Sequence, residues 1–415
     1  MTRGHLRDYF AGVGVKRLRA VDAEPKSSNQ HEIGTTSQMR RQFLHTDGKE
    51  RFKTIFVWLG DDQNFVIDEG CSTHYDTRSN QPHRTPEWRL YYQANRVTEL
   101  MRQGDTLFLA MTPGRTLYFI VTPDGSTSQR QVSWLFGFSA SDSQPTGTLF
   151  VSREVKTDEP GLNFAARMIL EQLGIEFKDP IARSIDTIID PLGETFPKTA
   201  ELSKLARESL GEVRAEEDPD TALVEWLDRE EAVFRRFERR IVSKRLQIDQ
   251  GFLLGDGEAD VDGFISFSLS IQNRRKSRMG YALENHLEAV FLAHHVSYVR
   301  GFSTENKHRP DFLFPSGEAY RAAPESGAPH LTMLGAKSSC KERWRQVLAE
   351  ASKIQTKHLL TLEGGISEPQ TQQMRESDLQ LVVPRPIQDT YTADQRRWLW
   401  TLSDFIREVK RRARL

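Results

Sequence analysis

Three residues between positions 311 and 350 have the types and order that phosphodiester hydrolysis requires. Asp311 follows a proline at the opening of a predicted strand, and Lys337 ends another predicted strand 26 residues later. Glu350 lies on the helix predicted to follow. A divalent metal held by carboxylates can polarise a phosphoryl oxygen and lower the pKa of an attacking water. A lysine can orient that water and neutralise developing charge. Mg²⁺ suits this task because it prefers carboxylate oxygens and retains several waters. In the usual arrangement the second acid stands two residues before the lysine, a place taken here by Gly335. Glu350 is the replacement candidate. It lies three residues after Val347 and four before Ile354, on the packed face of its predicted helix, where a carboxylate needs a partner or a metal. Glu284, between Leu283 and Leu287 on an earlier helix, is a fourth candidate. Any single acid here could be an ordinary surface or helix-pairing residue; the ordered set points to nuclease chemistry.

The 415-residue chain is long enough for two domains. No stretch of 18 uncharged apolar residues is present, so no membrane span is expected. The first residues lack the apolar core of a secretory leader. Two cysteines, Cys71 and Cys340, are too few for a disulfide framework or a Cys-rich zinc site, and a bacterial cytoplasm is the expected compartment. The net charge of −1 does not mark a nucleic-acid binder. Affinity for phosphates depends on local clusters, however, and basic residues gather at Lys16 to Arg19, Arg78 to Arg96, Arg235 to Lys244 and Asn273 to Arg278.

Positioning these residues requires two kinds of architecture. Up to about residue 155 the chain reads as short strands and loops, including Phe52 to Leu59, Thr106 to Met111 and Thr116 to Val121, as in a barrel or sandwich. A helix over Asn163 to Leu173 closes this part. Residues 176–196, punctuated by Asp179-Pro180 and Asp190-Pro191, read as a linker. Residues 197–415 alternate helices and strands, giving an α/β domain. The pattern predicts helices over Lys198 to Lys244, Val261 to Ser270, Arg278 to His294, Lys341 to Leu359 and Ala393 to Arg412. Strands are predicted at Asp311 to Phe314, Leu331 to Ala336 and Leu379 to Val383.

The second half closely resembles the catalytic domain of EcoRII-like type IIE restriction endonucleases. The similarity is dense at Asn273-Arg274-Arg275-Lys276-Ser277-Arg278, Pro310-Asp311-Phe312-Leu313-Phe314-Pro315-Ser316 and Lys341-Glu342-Arg343-Trp344-Arg345-Gln346. It continues through Met374-Arg375-Glu376-Ser377 and Leu381-Val382-Val383-Pro384. The resemblance implies a Mg²⁺-dependent, homodimeric enzyme with a restriction-endonuclease-like α/β core of the PD-(D/E)xK type carrying added helices. Asp311 and Glu350 would hold metal, Lys337 would complete the catalytic set, and Glu284 would support it. Lys341, Glu342 and Arg343 would read base edges, since Arg and Lys donate to guanine and a carboxylate accepts from cytosine. The family has Asp where this chain has Glu342. Phe234 falls where the family places an aromatic residue suited to stacking on a flipped base; the alternative is packing with Phe237 and Trp226.

Residues 1–175 resemble the effector DNA-binding domain of the same family, a mainly β pseudobarrel akin to plant B-three transcription-factor domains. By that resemblance Lys16, Arg17, His31, Arg78, Arg84, Glu87 and Arg89 would contact a second copy of double-stranded DNA. The whole implies cleavage at a CCWGG-like sequence (W being A or T), autoinhibition relieved by that second copy, and a cognate DNA methyltransferase as genetic partner. A non-catalytic DNA-binding protein and a methyl-sensing nuclease on the same fold are the competing readings.

Overall fold

The computed structural model describes residues 4–23, 31–61, 65–81, 83–139, 150–156, 161–175, 182–247, 251–255, 257–325, 327–340 and 343–414. They divide into two compact units, Met1–Lys178 with Gly365–Ser367, and Asp179–Gly364 with Glu368–Leu415.

The first unit is built on eight strands: β1 (Gly12–Arg17), β2 (Glu32–Gly34), β3 (Glu50–Leu59), β4 (Phe65–Asp76), β5 (Trp88–Tyr92), β6 (Thr106–Met111), β7 (Leu117–Thr122) and β8 (Val151–Glu154). They form one sheet in the order β2-β5-β4-β3-β7-β6-β1-β8. Its pairings are antiparallel apart from β3 with β7. Both β6 and β7 are buried along their whole length. The two-residue period of a strand explains how. Phe108 and Ala110 join one core with Val13, Val57 and Ile120, whereas Leu107, Leu109 and Met111 join another with Phe52, Phe56 and Phe119. Among the described residues the unit also holds the α-helices α1 (Ala20–Ala23), α2 (Ser37–Met39), α3 (Thr127–Leu135) and α4 (Phe164–Gln172). The expected helix at Asn163 is α4, capped by the Asn163 side chain, which accepts from the Ala166 N–H at 2.9 Å.

In the second unit, residues Ala182–Ile189 of the expected linker form helix α5. Ile185 and Ile189 are buried with Leu202, Val233, Phe234 and Phe237, so an apolar stripe docks this segment onto the helices that follow. Those are α6 (Thr199–Glu208), α7 (Pro219–Gln247) and α8 (Val261–Ala293). The two helices expected over Val261 to His294 are thus one 33-residue helix. Asn273 to Arg278 lies inside it rather than at a helix start. Arg275 donates from Nε to Glu238 of α7 at 2.9 Å, and Arg278 donates from Nη1 to Glu230 at 3.4 Å. His286 Nε2 lies 2.9 Å from Glu230 Oε2, with both side chains wholly buried. Burial holds the His286 imidazole below its ordinary pKa. Arg275 and Arg278 of the basic cluster therefore join α7 to α8.

The sheet of this unit has five strands: β9 (Val299–Arg300), β10 (Phe312–Phe314), β11 (Thr332–Lys337), β12 (Lys357–Thr361) and β13 (Leu379–Val382). Its order is β13-β12-β11-β10-β9. β9, β10 and β11 run antiparallel, whereas β11, β12 and β13 run parallel. Strand β12 occupies the end of the helix expected over Lys341 to Leu359. Helices α9 (Gly317–Ala322), α10 (Trp344–Leu348) and α11 (Glu368–Glu376) fall between or beside the strands. The expected C-terminal helix is split into α12 (Ala393–Trp398) and α13 (Leu402–Arg412), with Trp400 between them bridging to Val382 of the sheet. Among the described residues, no helix is long and apolar enough to cross a membrane.

One buried acid ties distant parts of this unit together. Asp220, at the start of α7, accepts from the Leu402 N–H at 2.8 Å, the Ser403 N–H at 3.0 Å and Ser403 Oγ at 2.7 Å. It also accepts from the Arg385 N–H at 3.1 Å. It thus caps α13 from another helix. Asp220→Ala strands these donors and is expected to destabilise the second unit by about 2–4 kcal/mol. Urea denaturation followed by tryptophan fluorescence measures this; a change below about 1 kcal/mol would mean that water replaces the carboxylate.

Candidate active site

The site forms where the second sheet turns from antiparallel to parallel. Asp311 immediately precedes β10, and its carbonyl accepts from the Gly301 N–H at 3.1 Å. Its carboxylate Oδ2 accepts from the Ala336 N–H at 2.7 Å and from Lys337 Nζ at 2.8 Å. The ladder explains this meeting, since β10 pairs with β11 in the register Phe312↔Leu334. That register carries Asp311, one residue upstream of Phe312, towards the Lys337 end of β11. The two side chains are 16% and 21% exposed, buried enough for strong electrostatics and open enough to meet a ligand.

Glu350 joins them, but from just beyond a short helix rather than from within a long one. α10 ends at Leu348 with Ala349 as its cap, and Ala351 then adopts a left-handed φ of 48°. Glu350 Oε2 is buried with no hydrogen-bond partner among the described residues. Burial pushes this carboxyl up to about 7; Lys337 and Lys357 oppose the shift, and Asp311 adds to it. Lys337 and Asp311 both act on the Glu350 carboxyl, which places the three in one electrostatic group.

Packing also explains the empty position two before the lysine. A Cβ on Gly335 would meet Val347 Cγ2 at 3.0 Å and Leu359 Cδ1 at 3.6 Å. A carboxylate side chain at 335 would have to displace α10. The segment that fills this space is the one that leads into Glu350.

The other second-unit candidates are placed differently. Glu284 accepts from Arg300 Nη2 at 2.7 Å and Nε at 3.1 Å. Arg300 also donates to Asn285 and Glu288, so Glu284 belongs to an ion cluster between α8 and β9. Arg343 precedes α10, its N–H donating to the Cys340 carbonyl at 2.9 Å. Lys341 and Glu342 lie outside the described residues. Phe234 corrects the stacking expectation. It is 2% exposed, packed beside Phe196 and Phe237, and covered by the Arg278 guanidinium 4.3 Å from its ring centroid. Its ring is spent on the α5–α7 core and offers no face for a base.

In the first unit Lys16 is likewise corrected. Its side chain is 1% exposed and its ammonium donates to Asp22 at 2.7 Å, so it serves the interior rather than a phosphate. Arg17 is partly exposed, donating to the Gly104 carbonyl at 3.1 Å and to Asp124. The edge made by β2, β5 and β4 gathers three of the other candidates together with Glu32. Arg78 pairs with Glu87 at 2.7 Å, Glu87 with Arg89 at 2.7 Å, and Arg89 with Glu32 at 3.3 Å. Arg89 holds the Glu87 carboxyl below its usual range. His31 precedes β2 at a φ of 41° with its ring against Tyr92. Arg84 is exposed and donates to Gln81 at 3.1 Å.

Sequence reasoning missed Lys357, a 6%-exposed lysine opening β12. A lysine in a predicted helix gives no sign of burial, and no other signal singled it out.

The C-terminal half has known relatives. Residues 234–406 match the family model described as EcoRII C terminal. Over 215 residues the chain is 40% identical to the type II restriction enzyme EcoRII of Escherichia coli, covering 52% of this chain and 50% of that enzyme. The chain thus spans about half the length of this curated relative. Among solved structures, metal-depleted Ecl18kI in complex with uncleaved, modified DNA is similar at a TM-score of 0.45 and 17% identity, over 57% of this chain and 86% of that one. The restriction endonuclease PspGI in complex with substrate DNA gives 0.38 and 14%, over 59% and 95%.

The raised Glu350 carboxyl has a consequence for stability. Between about pH 4.5 and 7 the unfolded chain releases this proton while the folded chain keeps it, so stability falls as pH rises through that window. Glu350→Gln removes the buried charge. In metal-free buffer at pH 8 it is expected to stabilise the fold by about 1–3 kcal/mol, and at pH 4.5 to change it little. Urea titrations at both pH values check this; equal effects would show that the carboxylate is not held in a desolvated place.

Proposed function

With a C-terminal half that is EcoRII-like, we propose that this chain is a type II restriction endonuclease hydrolysing phosphodiester bonds in double-stranded DNA. The single observation that carries the reading is the Asp311 carboxylate bonded to Lys337 at 2.8 Å, with the unpartnered buried oxygen of Glu350 in the same electrostatic group. An acid kept from water without a donor is a fitting place for a cation. Two carboxylates suit Mg²⁺, which fills its remaining positions with water and phosphate oxygens. Asp311 and Glu350 would hold the ion. When bound, it supplies positive charge at the scissile phosphate and makes water a stronger acid. Lys337, fixed by Asp311, orients the attacking water and neutralises charge developing on the phosphoryl oxygens. Glu284 has a supporting part through Arg300, whose strand lies beside Asp311.

The target in this proposal is a CCWGG-like sequence, with Lys341, Glu342 and Arg343 as the reading residues. The N-terminal unit is proposed to be a pseudobarrel that binds a second DNA copy through Arg17, His31, Arg78, Arg84, Glu87 and Arg89, and so relieves autoinhibition. A cell holding such an enzyme requires a methyltransferase of matching specificity. A homodimer is supported by an apolar surface on the second unit. Leu253, Leu254, Val261, Phe264, Ile265 and Leu269 are 49–59% exposed. Phe252 packs on both Phe264 and Phe267, which joins the loop before α8 to the helix as one patch. Six such side chains present on the order of 500 Å², the size that marks an interaction surface.

Two experiments test this. Plasmid cleavage with Mg²⁺ is expected to vanish in chelator and to fall at least 1,000-fold in Lys337→Ala; a short duplex bearing the same site should stimulate cutting of a one-site plasmid. Sequencing the cut ends gives the target. Unspecific ends would reject the restriction reading, and Mg²⁺-independent binding without cutting would favour the non-catalytic alternative. For the assembly, Ile265→Asp with Leu269→Asp is expected to convert a dimer to a monomer in sedimentation equilibrium. A dimer that persists would move the interface elsewhere.

A further inference from the structure

Resting on that reading of the site, the geometry points to Lys357 as a positioning residue for Glu350, a buried ammonium that fixes the turn from which the acid projects. Lys357 opens β12, and its Nζ donates to the Ala351 carbonyl at 2.7 Å and to the Ile354 carbonyl. The Ala351 carbonyl also accepts from the Ile354 N–H at 2.9 Å. These bonds close residues 351–354 into a tight turn whose first member, Ala351, is fully buried at a left-handed φ. Such a backbone conformation is unfavourable for a residue with a Cβ and persists only where its surroundings hold it. Glu350 is the residue immediately before it. Losing the ammonium would release both carbonyls and the strained residue together.

A second lysine holds the same turn from its outer side. Lys353 Nζ donates to the carbonyls of Tyr320, Arg321 and Ala323 at 3.2, 3.3 and 2.6 Å. Its N–H reaches Tyr320 Oη at 3.3 Å, and that hydroxyl donates to Glu305 at 2.6 Å. The outer clamp ties the turn to α9 and would serve any loop. The inner one differs because it grips the Ala351 carbonyl itself, on the residue next to Glu350. Lys357 therefore acts on the acid through the backbone: by holding the Ala351 and Ile354 carbonyls it sets where the Glu350 carboxylate starts from.

The test is a double-mutant cycle on the whole 415-residue chain with Mn²⁺ as probe, read by calorimetry, together with the Mg²⁺ concentration for half-maximal cleavage. Lys357→Met is expected to raise the Mn²⁺ Kd at least tenfold and the Mg²⁺ requirement in parallel, while the Kd for DNA in metal-free buffer stays within twofold. In a Glu350→Gln background the same substitution should change the Mn²⁺ Kd by less than twofold, because its target is already gone. An unchanged Mn²⁺ Kd in Lys357→Met overturns the proposal. So does an equal loss in both backgrounds, which would mark Lys357 as structural support unconnected to the acid. Should Lys357→Met fail to fold, Lys357→Gln, a shorter side chain that keeps at most part of this bonding, is expected to raise the Mn²⁺ Kd at least threefold, and an unchanged Kd again overturns the proposal. A wild-type chain that binds no Mn²⁺ would instead reject the active-site reading itself.

Discussion

The second unit depends on the two hydrogen bonds that the Asp311 carboxylate accepts from the next strand. One comes from the Ala336 backbone and the other from the Lys337 ammonium, so a single acid records both the register of β10 against β11 and the direction of the lysine. This happens where the sheet changes from antiparallel to parallel pairing. On one side the connections join the antiparallel strands β9, β10 and β11; on the other they cross over to the parallel strands β12 and β13. The junction brings an acid from one kind of connection and a lysine and second acid from the other to a common edge. Neither kind of connection alone would supply all three.

The relocation of the second acid follows from packing around that junction. Gly335 lets Val347 approach β11 within van der Waals range, and the chain that provides Val347 ends its short helix three residues before a strained, buried alanine. Burial makes the Glu350 charge unfavourable, and two lysines reduce the penalty without removing it. Such an arrangement is uncomfortable for an empty site and suitable for one that receives a cation. Much of the remaining unit consists of charges already paired inside: Asp220 capping α13, Glu230 against His286 and Arg278, Glu238 against Arg275. These groups hold helices together, and the contrast sets Glu350 apart, because its buried oxygen has no such partner among the described residues.

The same distinction separates the candidates in the first unit. Lys16 is committed to Asp22 in the interior, whereas Arg78, Glu87, Arg89 and Glu32 form a partly exposed chain of alternating charge along one sheet edge. An exposed chain of this kind is worth little to stability. Its alternation also holds each guanidinium in a defined place. Arg17 stands apart from this edge, at the far end of β1, beside Asp124.

Much of this was legible in the residues themselves. Short β-branched and aromatic runs marked β3, β6 and β7, and the switch to helical spacing marked α4, because alternation and 3.6-residue periodicity are local properties. The types and order of Asp311, Lys337 and Glu350 were also visible, since metal-assisted hydrolysis constrains which side chains can serve. Local pattern could not show that α8 runs unbroken through its basic stretch, that the chain after Leu348 leaves the helix for a strand, or that Phe234 and Lys16 are interior. Each depends on what lies across from the residue in space: Glu230 and Glu238 opposite the arginines, the Ala351 turn captured by Lys357, a helical core around the ring, and Asp22 beside the amine. The sequence by itself determined which chemistry was available and in what order its residues come. Tertiary structure decided which of them are free to perform it, because burial and pairing are set by distant neighbours that spacing does not encode.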